Sequence, residues 1–295
     1  MADLALAVDI GGTKMAAGLV APDGTLLERA MRPTPATASP AEAEVLWETL
    51  AGVVDEVTDL VRPGDRLVVC GAGCGGPMSP GGEEVSPLNI AGWRSFPLRS
   101  RLTALTGLPT FADNDAKALA LGEGWVGAAA GYDDYIAMVV STGVGGGIVL
   151  DGRLLNGRLG NAGHIGHVVV VPDGRACPCG SRGCLEAEAS GTALAALTGQ
   201  PAWLAPPEWV ERTGMLVGRA LASVAVLLDL SLAVVSGSVA LGFGEPFFRR
   251  AQAEMDALCR IEFARGARIV PGGLGDGGPL VGAARVGLCG GGVTA

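Results

Sequence analysis

With 295 residues, 49% of them apolar, and a mean hydropathy of +0.40, the chain is too rich in core-forming side chains to be disordered and long for one hydrophobic core, so two domains are expected. A net charge of −9, with Lys14 and Lys117 the only lysines, leaves no long basic surface for nucleic acid. No apolar run reaches membrane-spanning length and Met1-Ala2-Asp3 leads straight into an apolar strand, so no secretory signal, anchor or membrane partner is expected and the chain reads as cytoplasmic.

Leu4 to Ile10 reads as a buried strand, Gly11-Gly12 as a turn, and Lys14 to Val20 as the returning strand; Pro22-Asp23-Gly24 then turns into Thr25 to Met31, completing a meander. In the first turn, Asp9-Ile10-Gly11-Gly12-Thr13-Lys14, two glycines allow backbone N–H groups to approach a phosphate, Thr13 adds a hydroxyl, and Asp9 could orient a magnesium ion or its waters. A plain Gly-Gly hairpin is the alternative. Ser39-Pro40-Ala41-Glu42 has the pattern of a helix start, with the helix running to about Val61 and stopped by Pro63-Gly64-Asp65. Leu67 to Cys70 is a short strand, Gly71 to Gly82 a glycine-rich loop, Trp93 to Leu105 a short helix and Leu108 to Ala112 a strand.

That strand ends in Asp113-Asn114-Asp115-Ala116-Lys117, with a helix expected from Ala116 to Ala129. Polar residues at a strand's carboxyl end sit where open α/β sheets place ligands, so Asn114 could bind a substrate hydroxyl and Asp115 act as general base. Equally, Asp113 or Asn114 could merely cap the helix. Tyr135 to Val140 is a strand, Ser141 to Gly147 a second small-residue turn, and Ile148 to Leu150 runs back to Asp151-Gly152. The opening arrangement thus recurs in outline, which suggests two similar domains, each with a phosphate-binding hairpin. Further on, Ala187 to Leu197, Glu208 to Leu228, Pro246 to Arg260 and Pro279 to Leu288 have helical periodicity, and Gly290 to Ala295 reads as a frayed tail. Ala233 to Val235 is a buried strand ending in Ser236-Gly237-Ser238, a turn that either admits a flat adenosine or serves tight packing.

The densest chemistry lies in Asn161-Ala162-Gly163-His164-Ile165-Gly166-His167 and the segment Cys177 to Glu186 after it. An imidazole and the thiols of Cys177, Cys179 and Cys184 match the donor types and number of a closed structural zinc site. A closed site has no open position for water, so it would act as a staple holding His164 and Glu186 rather than as the chemistry. The alternative is three small buried thiols and a satisfied surface His167. Seven cysteines, an odd number with three in a metal-type arrangement, fit a reducing compartment better than a disulfide framework.

Together, the turn Asp9 to Lys14, the pair Asn114-Asp115, the turn Ser141 to Gly147, the Gly-His-Ile-Gly-His run and the segment Cys177 to Glu186 resemble the ROK family of sugar kinases and sugar-responsive repressors, from Leu4 to about Gly287. The resemblance implies an α/β fold of two domains, actin-like and ribonuclease H-like in its ATPase architecture, with a central cleft and a structural zinc site. The small domain would comprise residues 1–115 and about 279–295, and the large one, with the zinc-binding segment, residues 116–278. The implied activity is transfer of the γ-phosphate of ATP to the 6-hydroxyl of a hexose or N-acylhexosamine, with ATP, Mg2+ and Zn2+ as cofactors and a homodimer or homotetramer as the assembly.

In that pattern Gly11, Gly12, Thr13 and Lys14 surround the phosphates from one side and Thr142 and Gly143 from the other, with Gly237 and Ser238 near the adenosine. Asn114, His167 and Glu186 touch sugar hydroxyls, His167 also ligating zinc with Cys177, Cys179 and Cys184, and Asp115 is the catalytic base. His164 stands where glucokinase-type members carry a sugar-binding glutamate. A neutral imidazole accepts one hydrogen bond and donates one, so hydroxyl preference is expected to change. The Ala-Gly-His-Ile-Gly-His run and Val139-Val140-Ser141-Thr142-Gly143 are similar to bacterial N-acetylmannosamine kinases, which favours an N-acylhexosamine over glucose. The competing expectation is a non-catalytic sugar-sensing regulator, whose family pattern includes an N-terminal helix-turn-helix that this chain, opening on its first strand, has no room for.

Overall fold

The computed structural model describes residues 2–290. Its elements begin with β1 (Asp3–Ile10), β2 (Lys14–Val20), β3 (Leu26–Pro33), α1 (Ala43–Thr58), β4 (Arg66–Cys74), α2 (Leu98–Thr106), β5 (Thr110–Asn114) and α3 (Asp115–Val126). There follow β6 (Tyr135–Val140), β7 (Val144–Leu150), β8 (Arg153–Leu154), α4 (Leu185–Ala189), α5 (Gly191–Thr198), α6 (Pro207–Leu228), β9 (Leu232–Ser236), α7 (Ser238–Phe243), α8 (Glu245–Leu258), β10 (Arg268–Pro271) and α9 (Gly278–Gly290). Two units result: one of Met1–Gly127, Asn156–Ala162 and Leu274–Ala295, the other of Ala128–Leu155 and Gly163–Gly273.

The recurrence read from the sequence holds as topology. The first unit's sheet has the order β3-β2-β1-β4-β5 and the second β8-β7-β6-β9-β10. In each, the first strand pairs antiparallel with its hairpin partner and parallel with the strand that arrives after a helical connection. Strands in such a parallel core are covered on both faces, and β1 is accordingly buried at every position after Asp3. β3, at the edge, alternates burial up to Ala30 and carries the charged Glu28, Arg29 and Arg32, which blunts edge-to-edge pairing.

In the first unit, α1 packs on one face through Leu46, Leu50, Val53, Val54 and Val57, spaced to form one apolar stripe. Its start follows the expected pattern: Glu42 Oε2 accepts from the backbone N–H groups of Ala38 at 2.6 Å and Ser39 at 3.4 Å. The opposite face is covered by α9, through Leu280, Ala283, Ala284 and Leu288 against Ala5, Ala7, Ala16 and Val20. Small residues there let the helix backbone approach the sheet.

This close approach explains the largest difference from the sequence expectation. Gly71 to Cys74 is the continuation of β4 and not the start of a loop. A Cβ at Gly71 would collide with the carbonyl oxygen of Ala283 in α9, so the glycine serves helix-on-sheet contact where its composition suggested flexibility. Gly145 to Gly147 are likewise strand residues of β7, with Gly146 under Ile165 and the carbonyl of Gly163. The helix expected over Trp93 to Leu105 begins only at Leu98, because Ser95 has φ +46°, outside the helical region, in a turn whose buried Trp93 and Phe96 stack at 4.3 Å. Ser190 caps a new helix by accepting from Ala193 N–H and so divides the segment Ala187 to Leu197 into α4 and α5. The tail expected from Gly290 onward lies, beyond Gly290, outside the described residues.

The division between units falls at Gly127 and not at Asp115. α3 stays with the first unit because it crosses α9 where Gly122 faces Gly282, a contact that leaves no room for a side chain on either helix. Asn156–Ala162 joins them through the buried Lys117, whose Nζ donates to Asn156 Oδ1 at 2.7 Å and Gly160 O at 3.1 Å and pairs with Asp113 at 2.7 Å. Among the described residues no helix is long and apolar enough to cross a membrane.

Two glycines in regular structure are expected to respond in opposite directions. Gly71→Ala should destabilise by at least about 1–3 kcal/mol, since neither backbone can yield without breaking the helix–sheet contact. Gly52→Ala, inside α1 with open space at its Cβ position, should stabilise by about 0.5–1 kcal/mol. Thermal unfolding of both variants checks the pair.

Candidate functional site

At the carboxyl end of the first sheet, strand register sets Asp9, Gly73 and Asp113 in one row and Ile10, Cys74 and Asn114 in the next. This is the end of a parallel sheet at which ligands bind. Asn114 caps α3, its Oδ1 accepting from Ala116 N–H at 3.1 Å, as the capping alternative expected. Asp113 accepts from Asn114 N–H at 2.7 Å and pairs with Lys117, so the turn that presents Asp115 is fixed from beneath. Asp115 opens α3, its Oδ1 accepting from Ala116 N–H at 2.8 Å.

Asp9 and Asp115 flank Gly73. A Cβ on that glycine would stand 3.5 Å from Asp115 Cα and 3.8 Å from Asp9 Oδ1. Burial first, and the charge of Asp115 second, push the Asp9 carboxyl from its ordinary 3.8 up to about 7, with Lys14 opposing. The buried Cys74 thiol is raised well above its usual range by burial and by the same two carboxylates. A concentration of unfavourable negative charge at a strand end is suited to a divalent cation, which would relieve it.

Beside it, the Gly11–Thr13 turn is held by Gly11 N–H donating to Lys14 O at 2.9 Å, and from outside by Thr34, whose Oγ1 donates to Gly11 O at 2.7 Å. Thr13 and Lys14 are exposed. Sequence reasoning missed Asn89. This exposed amide lies so close to the turn that a Cβ on Gly12 would fall 2.7 Å from its Nδ2, and one on Gly75 3.4 Å from its Oδ1. Its signal, an asparagine in the segment Pro87-Leu88-Asn89-Ile90, has no periodicity, and only the fold brings it to the glycines.

In the second unit the corresponding turn is shorter than expected, Ser141 to Gly143, with β7 starting at Val144. It is clamped by α5: Gly191 N–H donates to Ser141 O at 2.7 Å and Thr192 Oγ1 to Thr142 O at 2.9 Å. Ser141 Oγ lies 2.9 Å from Ser238 Oγ, which brings the Gly237-Ser238 turn alongside. Gly237 has φ +100°, and a Cβ there would strike Val140 O, so tight packing accounts for this glycine whatever else the turn binds. Glu186 joins the same turn, its Oε2 accepting from Val144 N–H at 2.9 Å.

His167, Cys177, Cys179 and Cys184 converge, with all four donor atoms within 4.8 Å of one another. His167 Nδ1 is 3.7 Å from Cys177 Sγ, and Cys179 Sγ is 3.7 Å from Cys184 Sγ. Tetrahedral zinc with bonds of about 2.3 Å to sulfur sets its ligands about 3.8 Å apart, so the donors fit that ion, and the sulfurs stand too far apart for a disulfide. The segment between is shaped by Glu188, buried, which accepts from Arg175 N–H at 2.7 Å and pairs with Arg212. His164 is exposed, its ring 6.2 Å from that of His167.

The sequence profile of the ROK family matches residues 5–287. The chain is 37% identical over 265 residues to an N-acetylmannosamine kinase of Escherichia fergusonii, covering 81% of this chain and 84% of that one. Among solved structures it matches a ROK family glucokinase from Streptomyces griseus, determined with glucose and AMPPNP, with a TM-score of 0.81, 32% identity and coverage of 96% and 99% of the two chains. A ROK hexokinase from Thermus thermophilus matches with a TM-score of 0.77 and 33% identity, covering 97% of this chain and 98% of that one. These matches bear out the resemblance read from the motifs.

The raised Asp9 carboxyl has a consequence for stability. Between its ordinary value and about 7 the unfolded chain ionises while the fold retains the proton, so stability falls as pH rises through that window and levels off above it. Asp9→Asn removes this cost. Without divalent cation, the variant's advantage in Tm over the parent is expected to grow from pH 4 to 7 and then stay constant; a pH-independent difference would contradict the assignment.

Proposed function

Because the chain belongs to the ROK family, we propose that it is an ATP-dependent kinase that moves the γ-phosphoryl group of ATP onto the 6-hydroxyl of a hexose or N-acylhexosamine. What most supports this is a division of labour within three polar side chains. Asn114 commits Oδ1 to capping α3, His167 presents Nδ1 to the cysteine cluster and Glu186 commits Oε2 to Val144 N–H. Each is thereby fixed while keeping a second polar atom, Nδ2, Nε2 or Oε1, for a sugar hydroxyl. Such pinning holds a substrate in a reactive pose without further ordering cost.

In the proposed step Asp115 accepts the proton of the sugar's primary alcohol as its oxygen attacks the γ-phosphorus. The bond from phosphorus to the β–γ bridging oxygen breaks, and ADP leaves with that electron pair. Mg2+, for which Asp9 is the assigned anchor, would supply charge compensation on the phosphates. Gly11, Gly12, Thr13 and Lys14 on the first unit, and Thr142 and Gly143 on the second, are assigned to phosphate oxygens, with Gly237 and Ser238 assigned to the adenosine. Zinc held by His167, Cys177, Cys179 and Cys184 would serve as a staple, since four protein donors complete its tetrahedron.

For the sugar, His164 is the discriminating residue. An imidazole offers one acceptor and one donor where a carboxylate offers only acceptors, which favours an N-acylhexosamine such as N-acetylmannosamine over glucose. The relative of known name with 37% identity supports the same choice.

ADP release measured over a panel of aldohexoses and N-acylhexosamines tests the activity. Turnover with N-acetylmannosamine exceeding that with glucose is expected, and no turnover with any of them would overturn the proposal. In the same assay Asp115→Asn should abolish turnover while sugar affinity stays within about tenfold, since only proton acceptance is lost. Elemental analysis should find about one zinc per chain, and Cys184→Ser should lose the metal and lower Tm; a metal-free protein of full stability would remove the staple.

A further inference from the structure

The second unit contains a cavity of about 750 Å3 whose two ends differ in chemistry. One end carries the hydroxyls of Thr142, Thr192 and Ser238 beside the clamped turn; the other is walled by Pro201, Trp203 and Phe243. The volume is that of a small-molecule site. Its polar end adjoins the turn assigned above to phosphate.

Trp203 is anomalous. A side chain with the largest apolar area of any residue is 80% exposed, although its own turn is rigid. That turn is a single 3-10 helix, Ala202–Leu204, anchored by the buried Ala202 and closed by Leu204 N–H donating to Pro201 O at 2.9 Å and Ala205 N–H to Ala202 O at 3.0 Å. Gln200, the amide side chain of the lining, donates Nε2 to Leu204 O, so it braces the indole's turn. An exposed aromatic plane on a fixed backbone, at the apolar end of a cavity, is a preorganised stacking surface.

We propose that Trp203 stacks on the purine of the phosphate donor, and that the base is held by this contact and by apolar area more than by hydrogen bonds to its edge. The inference rests on the kinase reading and deepens it by naming the donor class, purine nucleoside triphosphates with weak discrimination between adenine and guanine. Every base presents a π-face, so stacking tolerates a change of base, whereas strong rejection of an analogue requires polar groups left unpaired by it.

Calorimetric titration of the parent with ADP and GDP, and steady-state kinetics with ATP and GTP, test this. Affinities and kcat/KM for the two bases are expected within about tenfold of each other. Trp203→Ala should weaken ADP binding and raise KM for ATP about tenfold or more, with kcat and the KM for sugar unchanged, and Trp203→Phe should restore most of it. Because the chain has five tryptophans, quenching of indole emission by ADP is read as the difference between parent and Trp203→Phe, and it should vanish in the variant. ADP affinity unchanged in Trp203→Ala, or a preference for ATP over GTP beyond about a hundredfold, overturns this inference alone. A parent that binds neither ADP nor ATP overturns the kinase reading with it.

Discussion

Polar side chains that the fold fixes by one atom, with a second atom assigned to a ligand, are the constraint on which the proposed chemistry depends. A carboxamide, an imidazole or a carboxylate left to itself on a surface samples several rotamers, and ordering it on binding is costly. Here Asn114 is ordered by the helix it caps, Glu186 by the strand N–H it accepts, and His167 by the thiols around its Nδ1. In each case the ordering interaction is one the backbone needs anyway. Helix α3 requires a cap, β7 a partner for its first N–H, and the segment Val168 to Cys184 has no regular helix or strand to order it. Each of the three side chains is therefore held in place by an interaction within its own unit.

Glycine supplies the complementary constraint. In both units the sheet has the same strand order, and in both the carboxyl end of the parallel strands is where side chains have been removed. Gly73 clears the space between Asp9 and Asp115, and Gly143 lies where a Cβ would come within 2.8 Å of Glu186 Oε2. Away from these positions glycine has a different task, admitting α9 to the first sheet at Gly71 and to α3 at Gly282. The abundance of 48 glycines thus reflects backbone-to-backbone contact as well as turns. Composition alone suggests the opposite.

That distinction marks how far the sequence was legible. Hydrophobic periodicity located β1, β2, α1, α6 and the hairpins, because those signals are local. The repeated sheet could be inferred because its two halves use the same order of local signals. The cysteine and histidine cluster was legible because ligand type and number are written in the residues themselves. The extension of β4 through Gly71 to Cys74 was not, since what makes those glycines strand residues is a helix more than two hundred positions away in the chain. Asn89 was invisible for the same reason: its proximity to Gly12 and Gly75 comes from a turn with no pattern of its own. Asn114 was read as either cap or ligand, and the structure makes it a cap by one atom, which leaves the other role open to its second.

The first unit's site also shows where the fold tolerates instability. Asp9 lies in a buried row, next to a second carboxylate, and its charge is disfavoured by both. A residue chosen for stability at that position would be apolar, like Val8 and Ile10 on either side of it. The neighbouring acid at position 113 is by contrast fully compensated by Lys117 and the Asn114 N–H. Two aspartates in one row of the sheet, on strands separated by β4, therefore receive opposite treatment. The compensated one holds the turn in place, and the other, disfavoured as an anion and eased only in part by Lys14, is the one whose charged form a bound cation would stabilise. Unfavourable charge gathered at the strand ends, in a unit where the buried Lys117 is paired, is what separates a site from a core.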